Sequence, residues 1–126
     1  MQQSERVFEF KDLLVWQKAM LFAKQVYHLT CQFPREERFA LTSQVRRAAV
    51  SVPSNIAEGH ARQGREFYHY LSIARGSLAE VETQLLLAVS LGYLEAKSVD
   101  ELSGLITEIR KMSSSLARKL RASTDH

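Results

Sequence analysis

A chain of 126 residues, 45% hydrophobic and 25% charged, has the size and balance of one globular domain, spanning residues 1–126 with an ordered part over about 10–121. The net charge of +3 is unevenly spread, with +1 over residues 1–34, +3 over 35–75, −5 over 76–109 and +4 over 110–126; either helix ends complement one another in an assembly, or a basic surface is kept for a polyanion. The single cysteine, Cys31, excludes an internal disulfide and fits a cytoplasmic home, and no apolar run approaches the ~18 residues that span a membrane.

The opening MQQSERVFEFKD has no apolar run and carries Glu5 and Glu9, which reads against a secretory signal or transit peptide. A first helix is predicted from Asp12, an N-cap whose carboxylate suits the positive end of the helix dipole, to Pro34, which stops it. It carries two apolar seams roughly 110° apart. Leu13, Trp16, Met20, Ala23, Tyr27 and Thr30 form the first; Val15, Ala19, Phe22, Val26, Leu29 and Phe33 form the second. One seam suffices for a core, so the second, with Val26 on it, implies a very wide core face or a subunit interface. Cys31 reads as a small, partly buried helix residue. Residues Arg35 to Phe39 make a charged connection of at most one helical turn.

The second helix, Leu41 to Gly59, organises the rest. Leu41, Val45, Ala48, Val52 and Ile56 form its core stripe, and Val50, Pro53 and Ala57 fall well off it. Between them lies a polar row of Gln44, Arg47, Ser51, Ser54 and Glu58. Pro53 removes the amide that would bond the Ala49 carbonyl, so a kink is expected, with Ser51, Ser54 and Asn55 at hand for the freed backbone. Gly59 reads as the end of this helix and His60–Gly64 as the joint. The third helix has a heptad seam of Phe67, Leu71, Ala74, Leu78, Val81, Leu85 and Ala88, with Gly76-Ser77 as a point of close approach and Gly92 as a left-handed C-cap. Ser98 to Glu101 reads as a capping box for a fourth helix striped by Leu102, Leu105, Ile109, Met112 and Leu116, beyond which the tail ASTDH frays. Four helices with short joints predict an all-α, antiparallel up-down-up-down four-helix bundle.

LTSQVRRAAVSVPSNIAEG resembles the signature of a bacterial four-helix bundle family that includes proteins encoded in intervening sequences of 23S ribosomal RNA genes and accessory variability proteins of diversity-generating retroelements. DLLVWQKA from Asp12, EFYHYLSIARGSLAEVETQL from Glu66 and LGYL from Leu91 match in order, so the resemblance runs from about Phe10 to Leu120. It implies a closed homo-oligomeric ring, a pentamer, and for the retroelement members contact with nucleic acid and a reverse transcriptase. It implies no enzymatic activity.

The residues themselves point to no catalysis, cofactor or metal. Glu66-Phe-Tyr-His69 has the spacing of half a two-metal carboxylate site, but no second copy exists, and a solvated Glu with a surface or interface His is the plainer account. Arg46 and Arg47 are adjacent and therefore diverge by about 100°. One can pair with a carboxylate such as Glu58, the other can reach solvent or a phosphate. Arg62, Arg65 and Arg75, with Arg118, Lys119 and Arg121 of the tail, can extend a basic surface. Phe67, Tyr68 and Tyr70 beside Arg65 have the interleaving of a single-strand binder, although aromatics on a heptad helix usually pack. The candidate nucleic-acid-binding set is therefore Arg47, Arg62, Arg65, Arg118, Lys119 and Arg121, and the interface or structural set is Val26, Arg46, Val50, Pro53, Asn55 and Glu58. Three functions compete: an oligomeric bundle that binds RNA or DNA, as an accessory to another protein or alone; a purely protein-binding scaffold; and, disfavoured by the missing second Glu-x-x-His, a metal-dependent oxidoreductase. Convergence of the arginines on one face favours the first; carboxylate partners for each favour the second.

Overall fold

The computed structural model describes residues 8–124. Most of the opening segment read for targeting signals, and Asp125 and His126 of the tail, lie outside the described residues. Four helices, α1 (Leu14–Thr30), α2 (Leu41–Arg62), α3 (Gly64–Ser90) and α4 (Ala96–Thr124), are joined without any strand among the described residues. Single 3-10 turns at Phe10–Asp12 and Arg35–Glu37 precede α1 and α2. No described helix is long and apolar enough to cross a membrane.

The core is one cluster drawn from all four helices. The seven seam residues of α3 are all buried, as the heptad predicts. On α1 the seam that faces the core is Val15, Ala19, Phe22 and Val26. Val26, expected on a seam left for a neighbour, is 0% exposed within the monomer. The other seam is only partly covered: Trp16 is half-buried, whereas Met20 and Tyr27 are exposed. Its last member, Thr30, is buried because its hydroxyl donates to the Val26 carbonyl at 2.9 Å and accepts from Arg46 at 2.8 Å.

Helix ends depart from the sequence expectations in identifiable ways. Asp12 does not cap α1; its carboxylate accepts from the Glu9 amide at 2.8 Å and closes the 3-10 turn, and α1 starts two residues later. Cys31 lies just past α1 and is exposed, its thiol turned to the Tyr27 carbonyl. α2 runs unbroken through Pro53 and past Gly59 to Arg62. The side-chain bonds beside Pro53 go to Ser51: Asn55 Nδ2 donates to its carbonyl and its hydroxyl, both at 2.8 Å. Gly59 is buried inside α2 because α3 presses on it; a Cβ there would lie 2.7 Å from Tyr70 Cβ and 2.9 Å from Phe67 Cδ1. The α2–α3 joint is the single residue Gln63, at φ 64°, whose side-chain amide donates to the His60 carbonyl. Gly76 faces open space, so the contact expected there is made instead by Ser77, whose hydroxyl lies 2.8 Å from that of Ser51. Gly92 follows α3 at φ 82°, as a left-handed cap requires. Ser98 lies inside α4, its amide bonded to the Glu95 carbonyl at 3.0 Å, so it does not cap the helix. α4 also continues beyond Leu120 to Thr124.

The buried row of α4 is Val99, Leu102, Ile106, Ile109, Ser113 and Ala117, with Leu105, Met112 and Leu116 flanking it half-buried. Ser113 is fully buried and its hydroxyl has no hydrogen-bond partner among the described residues. Replacing it with Ala removes an unpaired polar group and improves helix propensity, so Ser113→Ala is expected to stabilise the fold by about 1 kcal/mol. A thermal melt checks this: the midpoint should rise by a few degrees, and a fall would show that the hydroxyl is satisfied.

Candidate nucleic-acid interface

The basic residues separate by what they touch. Arg62 donates to Glu58 at 2.8 Å and to Glu66 at 3.1 Å, both i,i+4 neighbours, and its guanidinium lies 5.4 Å from the Tyr70 ring. Its pKa is raised above the ordinary guanidinium value, first by the hydrogen bond to Glu58 and then by that to Glu66. This cation is already neutralised, and the Glu58 carboxylate goes to Arg62 and not to Arg46 or Arg47. Arg65, Arg118 and Lys119 are exposed and have no ion-pair partner among the described residues, and Arg121 is exposed. Arg47 is exposed and has no ion-pair partner among the described residues, but it stands about 22 Å along α2 from Arg62 at the 1.5 Å rise of a helix. Arg47 and Arg62 therefore belong to different parts of the surface. Arg75 is half-buried and donates to Ser114 at 3.3 Å across to α4.

A compact cationic site does exist, around Arg47. α1 ends at Thr30, four residues before Pro34, which instead caps the 3-10 turn Arg35–Glu37, and that turn is pinned by Glu37. One Glu37 oxygen accepts from the Leu41 amide at 3.2 Å, the first of α2, and the other accepts from the Tyr93 hydroxyl at 2.7 Å. That hydrogen bond, ahead of desolvation, raises the Tyr93 pKa above its ordinary value. With the turn so anchored, Arg38 and Phe39 project outward beside the first turns of α2, and together with Thr42, Ser43, Arg46 and Arg47 they line an open notch of about 410 Å³. Tyr27 of α1 forms its far wall. Arg46 is fixed in place: Nε donates to Thr30 Oγ1 at 2.8 Å, Nη2 to the Tyr27 carbonyl at 3.2 Å, and the guanidinium lies 4.6 Å from the Tyr27 ring. Arg38 sits 5.3 Å from the Phe39 ring. None of these three arginines pairs with a carboxylate among the described residues. A guanidinium without a carboxylate partner is well suited to phosphate oxygens.

The aromatics beside Arg65 pack, as expected on a heptad helix, and do not join it. Phe67 is buried, Tyr68 packs half-buried against the core, and Tyr70 lies under Arg62. Glu66 is engaged by Arg62, and among the described residues no three metal-ligating side chains come together. A second surface feature is apolar. Trp16, Met20 and Ala23 of α1 face Val50, Pro53 and Ala57 of α2 across a groove of about 670 Å³. Pro53 is buried at this groove, and Val50 is 43% exposed. Of the off-stripe residues of α2, Val50 is thus exposed, Ala57 half-buried and Pro53 already covered within the monomer.

A family model described as 23S rRNA-intervening sequence protein matches residues 11–115. Among solved structures, the chain is similar to a protein of unknown function from the S23 ribosomal protein family of Bacteroides thetaiotaomicron, with 26% identity over 82% of this chain and 98% of that one, and a TM-score of 0.72. No curated protein matches.

Proposed function

The chain belongs to the 23S rRNA-intervening sequence protein family, and from that premise we propose that it is a non-enzymatic, homo-oligomeric four-helix bundle that binds nucleic acid through phosphate contacts. The observation that carries this reading is the notch of Arg38, Arg46 and Arg47, three arginines with no carboxylate partner among the described residues, lined also by Thr42 and Ser43. The helices pack in antiparallel, up-down-up-down order. Cross-helix pairs support this, since Ser51 meets Ser77 while the later Gly59 meets the earlier Phe67, and Arg75 meets Ser114 while the later Glu82 meets the earlier Arg110. Copies associate through the apolar groove between α1 and α2, where Val50 and Met20 lie open to solvent. A closed ring of five is the assembly the family resemblance implies, and it multiplies a few contacts per subunit by multivalency.

Titrating the protein into fluorescent oligonucleotides over a salt series tests the nucleic-acid reading. Affinity should fall steeply with salt and depend weakly on sequence. Arg38→Gln with Arg47→Gln should weaken binding and reduce the salt slope by about 1–2, roughly one for each phosphate left without its guanidinium. Arg62→Gln should change little, because its charge is already taken by Glu58 and Glu66. If the parent protein binds no nucleic acid at low salt, the protein-binding scaffold is left. Sedimentation of the same samples reads the assembly, and a 14.4 kDa species at micromolar concentration would remove the oligomer.

A further inference from the structure

Phe39 is 88% exposed, the most exposed of the large apolar side chains described. A phenylalanine left in water forfeits the stabilisation its burial would give, and this ring contributes nothing to the core. Its backbone is not loose. The Ala40 amide bonds to the Glu37 carbonyl at 3.0 Å and the Leu41 amide to the Glu37 side chain, so the chain is tied down immediately after the ring. The ring therefore projects from an anchored turn, at the rim of the cationic notch.

We infer that Phe39 is a stacking platform for an unpaired base, so that the ligand of this surface is single-stranded nucleic acid. This rests on the phosphate-binding reading above and specifies it. The chemistry of the two partners is complementary. A single strand offers an alternation of phosphates and unstacked flat rings, and the notch offers guanidinium groups at Arg38 and Arg47 beside the exposed Phe39 ring, over which Arg38 lies. A duplex keeps its bases stacked inside, where a ring on a short turn gains no access to them. Protein interfaces also favour phenylalanine and arginine, but here Arg38, Arg46 and Arg47 have no carboxylate partner among the described residues, which fits the repeated phosphates of a strand. The apolar groove suited to another copy lies between other residues, and the two features share only Tyr27.

The test uses the full chain with a single-stranded homopyrimidine RNA, the matching DNA strand, and a duplex, all by fluorescence anisotropy at one salt concentration. Phe39→Ala should lower affinity for both single strands by about 5- to 100-fold, the effect expected when one stacked base is released, and leave duplex affinity within about twofold. Phe39→Trp should retain or strengthen single-strand binding, and Phe39→Leu, which keeps apolar bulk without an aromatic face, should behave like the Ala variant. Equal loss on duplex and single strand, or no loss on either, overturns the stacking role while leaving the phosphate reading intact. A change of oligomeric state in Phe39→Ala by sedimentation also overturns it, by making the ring a subunit contact. If the parent binds none of the three probes, both readings fail together.

Discussion

Val26→Glu is expected to prevent the bundle from folding at neutral pH, with loss of a cooperative thermal transition by circular dichroism. The side chain is completely enclosed by the monomer's own core, one turn before Thr30, whose hydroxyl bonds back to the Val26 carbonyl. Among the described residues no lysine or arginine is buried in the core to pair with a carboxylate there, and an unpaired buried charge costs several kcal/mol against a total stability of about 5–15 kcal/mol. Burial raises the folded-state pKa of such a Glu above its unfolded value. The destabilisation is therefore smallest at acid pH, where the group is protonated in both states, and grows as pH rises through the unfolded-state value. Partial refolding on acidification would identify the charge as the cause. Met20→Glu is the control, because Met20 is exposed on the other seam and the monomer should keep its fold. A Val26→Glu protein that melts like the parent would contradict the enclosed position.

Gly59→Ala should destabilise the protein by about 1–2 kcal/mol, although alanine is the better helix former by about 1 kcal/mol. The added methyl would stand 2.7 Å from Tyr70 Cβ and 3.3 Å from Phe67 Cα, atoms attached rigidly to α3. Neither can rotate away, so α3 itself must shift, and overpacking of this kind costs typically about 1–3 kcal/mol or more. Gly76→Ala is the opposite case. A Cβ there meets nothing within 4 Å, so the helix-propensity gain stands alone and stability should rise. Denaturant midpoints of the two variants moving in opposite directions would bear out the contact at Gly59; two rises would refute it.

How far the fold is legible in the sequence depends on whether a residue's role is periodic. The α3 heptad is legible in full, because Phe67 to Ala88 repeat with one spacing and every one of them is buried. On α1, periodicity yields two seams but carries no information about which faces the other helices, so it places Val26 on the uncovered side. Glycine reads as punctuation at position 59, where the fold uses it for close approach, and as close approach at 76, where it meets nothing. The candidate site is legible in part. Arg47 stands out in the sequence and lies in the notch, yet Arg38, Phe39, Thr42 and Ser43 read only as connection and first turn. A helical period says nothing about a lone aromatic in a connection, and only the Glu37 anchor explains why its ring points outward. The compensation of Arg62 does have a sequence signal, since Glu58 and Glu66 stand four residues to either side of it.

The joint at Gln63 has a kinetic meaning. The connection from α1 to α2 spans residues 31–40 and that from α3 to α4 spans 91–95, whereas α2 and α3 are separated by one residue whose backbone already turns the chain. Closing a loop costs entropy that grows with its length, so α2 and α3 meet with almost no search while the outer helices must each be retrieved across a longer span. During folding the α2–α3 hairpin is then the local unit of lowest contact order, the template on which α1 and α4 condense.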